Sequence, residues 1–94
     1  MTTFLYQHPA CSNHEPGINH PESPNRLNAV MTKLDETCFK DLVQIESPMT
    51  DLEVISLMHD PNYIDRILKS VPSTGLFRLD PDTILSSGSA EAIL

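Results

Sequence analysis

Apolar positions along the chain change their period from stretch to stretch, and each change marks an element. Thr3-Phe4-Leu5-Tyr6-Gln7 is a short apolar and aromatic run that stops at a proline-rich stretch, which predicts a buried strand. From Pro24 the period lengthens. Leu27, Val30, Met31, Leu34 and Cys38 recur at helical spacing behind Ser23, a good N-cap, and a proline at the first helical position. The pattern predicts an amphipathic helix over residues 24–37. Leu42-Val43-Gln44-Ile45 reads as a second strand.

Strand, helix and strand in this order favour a parallel pair joined by a right-handed crossover, so the fold class is α/β. Thr50-Asp51-Leu52-Glu53 has capping-box spacing and opens a short helix, with His59 placed to close it at the negative end of its dipole. Asp60-Pro61 restarts the chain. Tyr63, Ile64, Ile67, Leu68 and Val71 give a further helix, Pro72 stops it, and Ser73-Thr74-Gly75 marks a turn. Gly75 to Gly88 reads as a loop, after which Ser89 to Leu94 begins another helical pattern.

Composition narrows this picture to one small domain. A chain of 94 residues with 39% hydrophobic content buries roughly 60–65% of its unfolded surface and is only marginally stable. With no tryptophan and 5% aromatic residues, the core must come from Leu, Ile, Val and Met. The net charge of −7 and a total of six Lys and Arg oppose phosphate backbones and anionic lipid, so no nucleic-acid or membrane partner is expected. No basic and apolar leader pattern and no apolar run of membrane length occurs, which leads to the expectation of a soluble, cytoplasmic chain with Cys11 and Cys38 as free thiols. The helical pattern breaks off at Ile93-Leu94, and two strands are few for an independent parallel sheet. The expectation is therefore missing sequence or a homo-oligomer formed through exposed apolar surface.

The chemistry is concentrated in HPACSNHEPGINHPESPNR, which brings His8, Cys11, His14 and His20 together in one run. Thiolate and imidazole are the ligand types that zinc selects, yet the spacing matches no strong finger pattern, and loop and cap roles are the plainer reading. Glu22 and Arg26, four apart across a helix start, suit a local ion pair. His59 has the intrinsic chemistry of an acid or base but no identifiable partner. Asp80 and Asp82 flank a proline, which suggests a turn more than a two-oxygen metal site.

His8-x-x-Cys11-x-x-His14, His20-Pro21-Glu22-x-Pro24-x-Arg26-Leu27, His59-x-x-x-Tyr63-Ile64 and Gly75-Leu76-Phe77-x-Leu79-Asp80-Pro81-Asp82-Thr83 follow one another in an order that resembles the opening of bacterial histone deacetylase-like proteins. That family includes acetylpolyamine amidohydrolases and acetoin-utilisation proteins. The resemblance covers the whole chain and implies the arginase/deacetylase α/β fold, with residues 1–94 as a single partial domain, the N-terminal portion. It also implies hydrolysis of acetyl-amides by a zinc-bound water, activated by a tandem histidine pair.

The family's zinc ligands and its carbonyl-polarising tyrosine lie in later motifs. Here histidines 8, 14, 20 and 59 include no adjacent pair, and neither Tyr6 nor Tyr63 sits in a matching motif, so no catalytic residue carries over. Zinc is thus implied for the full-length family and not expected in this chain. One substrate contact carries over, the rim aspartate before threonine. It falls on Asp82, with Asp80 as the alternative. Some members hold a structural zinc through a cysteine just before the Asp-x-Asp-Thr stretch, where this chain has Pro72-Ser73-Thr74-Gly75. Three readings follow: an inactive segment of a zinc-dependent amidohydrolase, a self-associating or partner-binding α/β module, and a small structural zinc module.

Overall fold

The computed structural model describes all 94 residues. Strands β1 (Thr3–Gln7) and β2 (Leu42–Glu46) form on the two predicted apolar runs and pair in parallel, from Thr3 opposite Leu42 to Gln7 opposite Glu46. Between them lie a 3-10 turn at Pro9–Asn13 and helix α1 (Pro24–Leu34). Ser23 caps α1, its hydroxyl accepting from the Arg26 amide, and Pro24 fills the first turn. The helix ends three residues before the predicted 37, because Asp35 closes it and Thr37–Phe39 tightens into a 3-10 turn. Cys38 therefore leaves the helical stripe on which its spacing had placed it.

Helix α2 is a single turn, Leu52–Ile55, with Asp51 and not Thr50 at its N-cap, and no side chain caps it. His59 lies beyond the helix, although its amide donates to the Ile55 carbonyl at 3.1 Å and so prolongs the turn. Helix α3 (Pro61–Ser70) starts where Asp60 accepts from the Asn62 amide at 2.7 Å. The stretch read as a loop from Gly75 to Gly88 holds a β-hairpin. Strands β3 (Leu76–Arg78) and β4 (Ile84–Ser86) pair antiparallel, in a sheet separate from β1 and β2. Three-residue strands are too short to show an alternation, so side-chain hydrogen bonds in the connection define the hairpin instead. Helix α4 (Ser89–Ile93) follows, and the carbonyl of Leu94, just past it, accepts from the Thr50 amide at 2.6 Å.

The fold is mixed α/β with a thin core. Only Ala10, Pro16, Ile64, Leu85, Ser86 and Ser89 are buried, and they cluster where the first loop meets β4 and the helices. Much of the aliphatic pattern faces outward, as at Leu57, 80% exposed. The accessible surface is 7158 Å², against about 5,400 Å² for a compact chain of this mass. The radius of gyration is 15.3 Å, against about 12 Å for a compact domain of this length.

Candidate functional site

The three histidines of the first loop do not converge. His8 Nδ1 accepts from the Ala10 amide at 3.0 Å, capping the 3-10 turn, while its Nε2 lies 3.7 Å from Glu46 Oε1 beside β2. His20 Nδ1 accepts from the Glu22 amide at 3.1 Å and its Nε2 lies 3.0 Å from the Asp82 carbonyl. Nδ1 also lies 3.2 Å from the Glu22 carbonyl, and the Asp82 carbonyl accepts from the ring when the proton sits on Nε2. His14 Nδ1 lies 2.7 Å from Ser89 Oγ, and its Nε2 lies 3.5 Å from Glu22 Oε2. Each ring thus ties the first loop to a different element.

This geometry is a poor fit to a metal. His8, Cys11, His14 and His20 share no centre, and no group of three or more His, Cys, Asp or Glu side chains is placed to hold an ion. Cys11 and Cys38 are exposed free thiols. The expected Glu22–Arg26 pair is replaced, because the Glu22 carboxylate turns toward His14. His59 packs on Tyr63, with ring centroids 5.8 Å apart, and the Arg66 guanidinium lies over the Tyr63 ring, 5.5 Å from its centroid.

Glu22, His14 and Ser89 form an acid–imidazole–hydroxyl chain that the sequence reading missed, since 75 residues separate the histidine from the serine. The order suggests a nucleophile, but Ser89 is fully buried and no acyl carbon can approach its hydroxyl. Its oxygen also accepts from the Ser86 amide at 2.8 Å, and Ser86 Oγ in turn accepts from the Glu15 amide at 3.0 Å and donates to the Asn13 carbonyl at 3.3 Å. The group is a polar clasp that closes the first loop over β4 and α4, with no buried side-chain atom left without a partner. Serines at the foot of a hairpin were the only sequence signal for it.

The other cluster is the connection between β3 and β4. Asp80 Oδ1 accepts from the amides of Asp82 at 2.9 Å and Thr83 at 2.7 Å, and the Thr83 carbonyl accepts from the Leu79 amide at 2.9 Å. Arg78 completes the turn by donating to the Pro81 carbonyl at 2.7 Å. The Asp82 amide above all, then Thr83, holds the Asp80 carboxyl below its ordinary value of 3.8. Asp80 is therefore occupied by its own turn. Asp82 is exposed, its carbonyl is fixed by His20, and its carboxylate makes no hydrogen bond or ion pair within the chain.

No family model matches the chain. Type-2 histone deacetylase 2 of Dictyostelium discoideum is 29% identical over 72 residues, which span 74% of this chain and 4% of that protein. The likeness supports a relationship to the deacetylase family. The chain covers only a small part of this relative's length, so the relationship bears on a segment and not on a complete histone deacetylase.

Proposed function

We propose that the chain is the opening segment of a deacetylase-type, zinc-dependent amidohydrolase, that it supplies a substrate-binding rim, and that by itself it hydrolyses no acetyl-amide. The likeness to a histone deacetylase carries this reading. The hairpin turn adds a physical reason to choose Asp82 over Asp80 as the rim residue. One Asp80 oxygen, Oδ1, is taken by two amides of its own turn, whereas the Asp82 carboxylate accepts none within the chain and stands free to accept hydrogen bonds from the backbone N–H groups of an acetylated chain. The contact would orient a substrate at a pocket mouth, with binding separated from bond cleavage.

Zinc supplies water activation and carbonyl polarisation in this chemistry, and the ligand types of this chain do not converge to hold it. Those tasks fall to residues outside these 94. Two measurements test the proposal. The purified chain, given zinc and an acetyl-lysine peptide or an acetylpolyamine, is expected to show no turnover above the metal blank, and turnover would overturn the separation of rim from catalyst. Transcripts read past codon 94 are expected to continue in frame into a tandem histidine motif, and a stop codon there in every transcript would refute the segment reading.

A further inference from the structure

We infer that His20 is a positioning residue for the Asp82 carboxylate, holding the β3–β4 connection in place against the first loop. The connection is braced from within, since Asp80 Oδ1 accepts from the Asp82 and Thr83 amides and Arg78 donates to the Pro81 carbonyl. Its one hydrogen bond to anything outside the hairpin is the 3.0 Å contact between His20 Nε2 and the Asp82 carbonyl, across 62 residues of chain. Loss of that tether frees the turn to swing as one piece on its two strands. The tether also grips the residue that matters. The Asp82 amide is held by Asp80 at 2.9 Å and its carbonyl by His20, so the peptide groups on both sides of its Cα are fixed and only the side-chain torsions stay free.

The first loop is built to present that ring. Asn19 turns the chain at φ 63°, in the left-handed region that asparagine tolerates, Pro21 stiffens the next step, and Ser23 with Pro24 starts α1. Between them the Glu22 backbone offers Nδ1 both its N–H, at 3.1 Å, and its carbonyl, at 3.2 Å. With the proton on Nε2, the Glu22 amide donates to Nδ1 and the ring donates to Asp82, so both nitrogens are used and the ring plane is fixed. The Asp82 contact is exposed, so water replaces the ring when it is removed, and the cost falls on orientation more than on folding. Orientation is what a rim contact needs, because a carboxylate that wanders binds only for the fraction of time it faces its partner. The effect on binding rests on the reading of Asp82 as the rim residue, and the placement of the turn does not.

Backbone amide relaxation by NMR and titration with an acetyl-lysine peptide, both on the full chain, test it. In the parent, order parameters at the Asp82 and Thr83 amides should sit near the rigid value of about 0.85. His20→Phe keeps a ring but removes the donor, and should bring them below about 0.6 while the urea midpoint stays with the parent's. It should also weaken the peptide about five- to tenfold, as the carboxylate comes to face its partner for about a fifth to a tenth of the time. His20→Gln, with an N–H near the place of Nε2, should recover both order and affinity. In an Asp82→Asn background, itself the weaker binder, His20→Phe should add nothing, because the ring acts through that carboxylate. Unchanged order in His20→Phe would overturn the inference and leave the rim reading standing. So would a His20→Phe chain that loses stability as a whole, a Gln variant no better than Phe, or additive losses in the double variant. A peptide that binds Asp82→Asn as well as the parent, or binds neither, would instead refute the rim reading, and the order parameters alone then decide whether His20 places the turn.

Discussion

Gly88→Ala is the most direct test of the clasp between the first loop and the hairpin. The backbone at Gly88 has φ −84° and ψ −4°, which any residue adopts, so on chain entropy alone alanine should stabilise by about 0.4–1 kcal/mol. Packing reverses that sign. A methyl group there would press into the Asn13 carbonyl oxygen, 2.7 Å from Asn13 Cβ and 2.8 Å from its carbonyl carbon, and backbone cannot swing aside as a side chain does. Relief requires the first loop to lift from β4, which strains the Ser86–Asn13 and Glu15–Ser86 hydrogen bonds.

Overpacking costs about 1–3 kcal/mol and each hydrogen bond contributes about 0.5–1.5 kcal/mol. After the entropy gain, a net loss of about 2–4 kcal/mol remains, out of roughly 5–10 kcal/mol for a domain of this size. Urea unfolding followed by circular dichroism should show the midpoint falling by about 2 M at ordinary slopes. Gly75→Ala is the control. Its φ of 71° is strained for alanine but no atom lies within 4 Å, so it should cost about 1 kcal/mol and leave amide protection at Glu15 unchanged. A Gly88→Ala chain as stable as the parent would refute the close approach and the clasp built on it.

Ser89→Ala leaves the Ser86 amide and His14 Nδ1 without their partner in a buried site, and should lower stability by about 1–3 kcal/mol in the same urea assay. The Asp80 carboxyl ionises more readily in the fold than in the unfolded chain. Its contribution is therefore complete above 3.8 and is lost as pH falls through the lower folded value, so exchange at the Asp82 and Thr83 amides should accelerate there. Asp80→Asn should flatten that dependence. Excess zinc or a chelator should leave the melting temperature within about 1 °C, since ligand binding stabilises only where a site exists. A rise of several degrees with stoichiometric zinc would revive the structural zinc module.

Legibility followed the range of the interactions. Ser23-Pro24 and Asp60-Pro61 announce helices α1 and α3, because a cap and a first-turn proline act within a few residues. The apolar runs announce β1 and β2 for the same reason. The β3–β4 hairpin escaped because its strands are three residues long, and its stability rests on Asp80 receiving two amides across the turn. In the candidate site, position had favoured Asp82 over Asp80, and only the structure shows that the two differ in environment, Asp80 accepting two amides of its own turn and the Asp82 carboxylate none.

The sequence by itself determined the mixed α/β class, the parallel strand pair, the starts of α1 and α3 and the concentration of His, Cys and acidic groups in the first loop. These follow from local period, capping and residue type. Only the tertiary structure decided what the histidines do. An imidazole serves as ligand, cap or clasp according to what meets its two nitrogens, and here those partners come from Glu46, Ser89 and Asp82, far along the chain. It also left the apolar runs of β1 and β2 largely exposed, because burial depends on which surfaces meet and not on how apolar each one is.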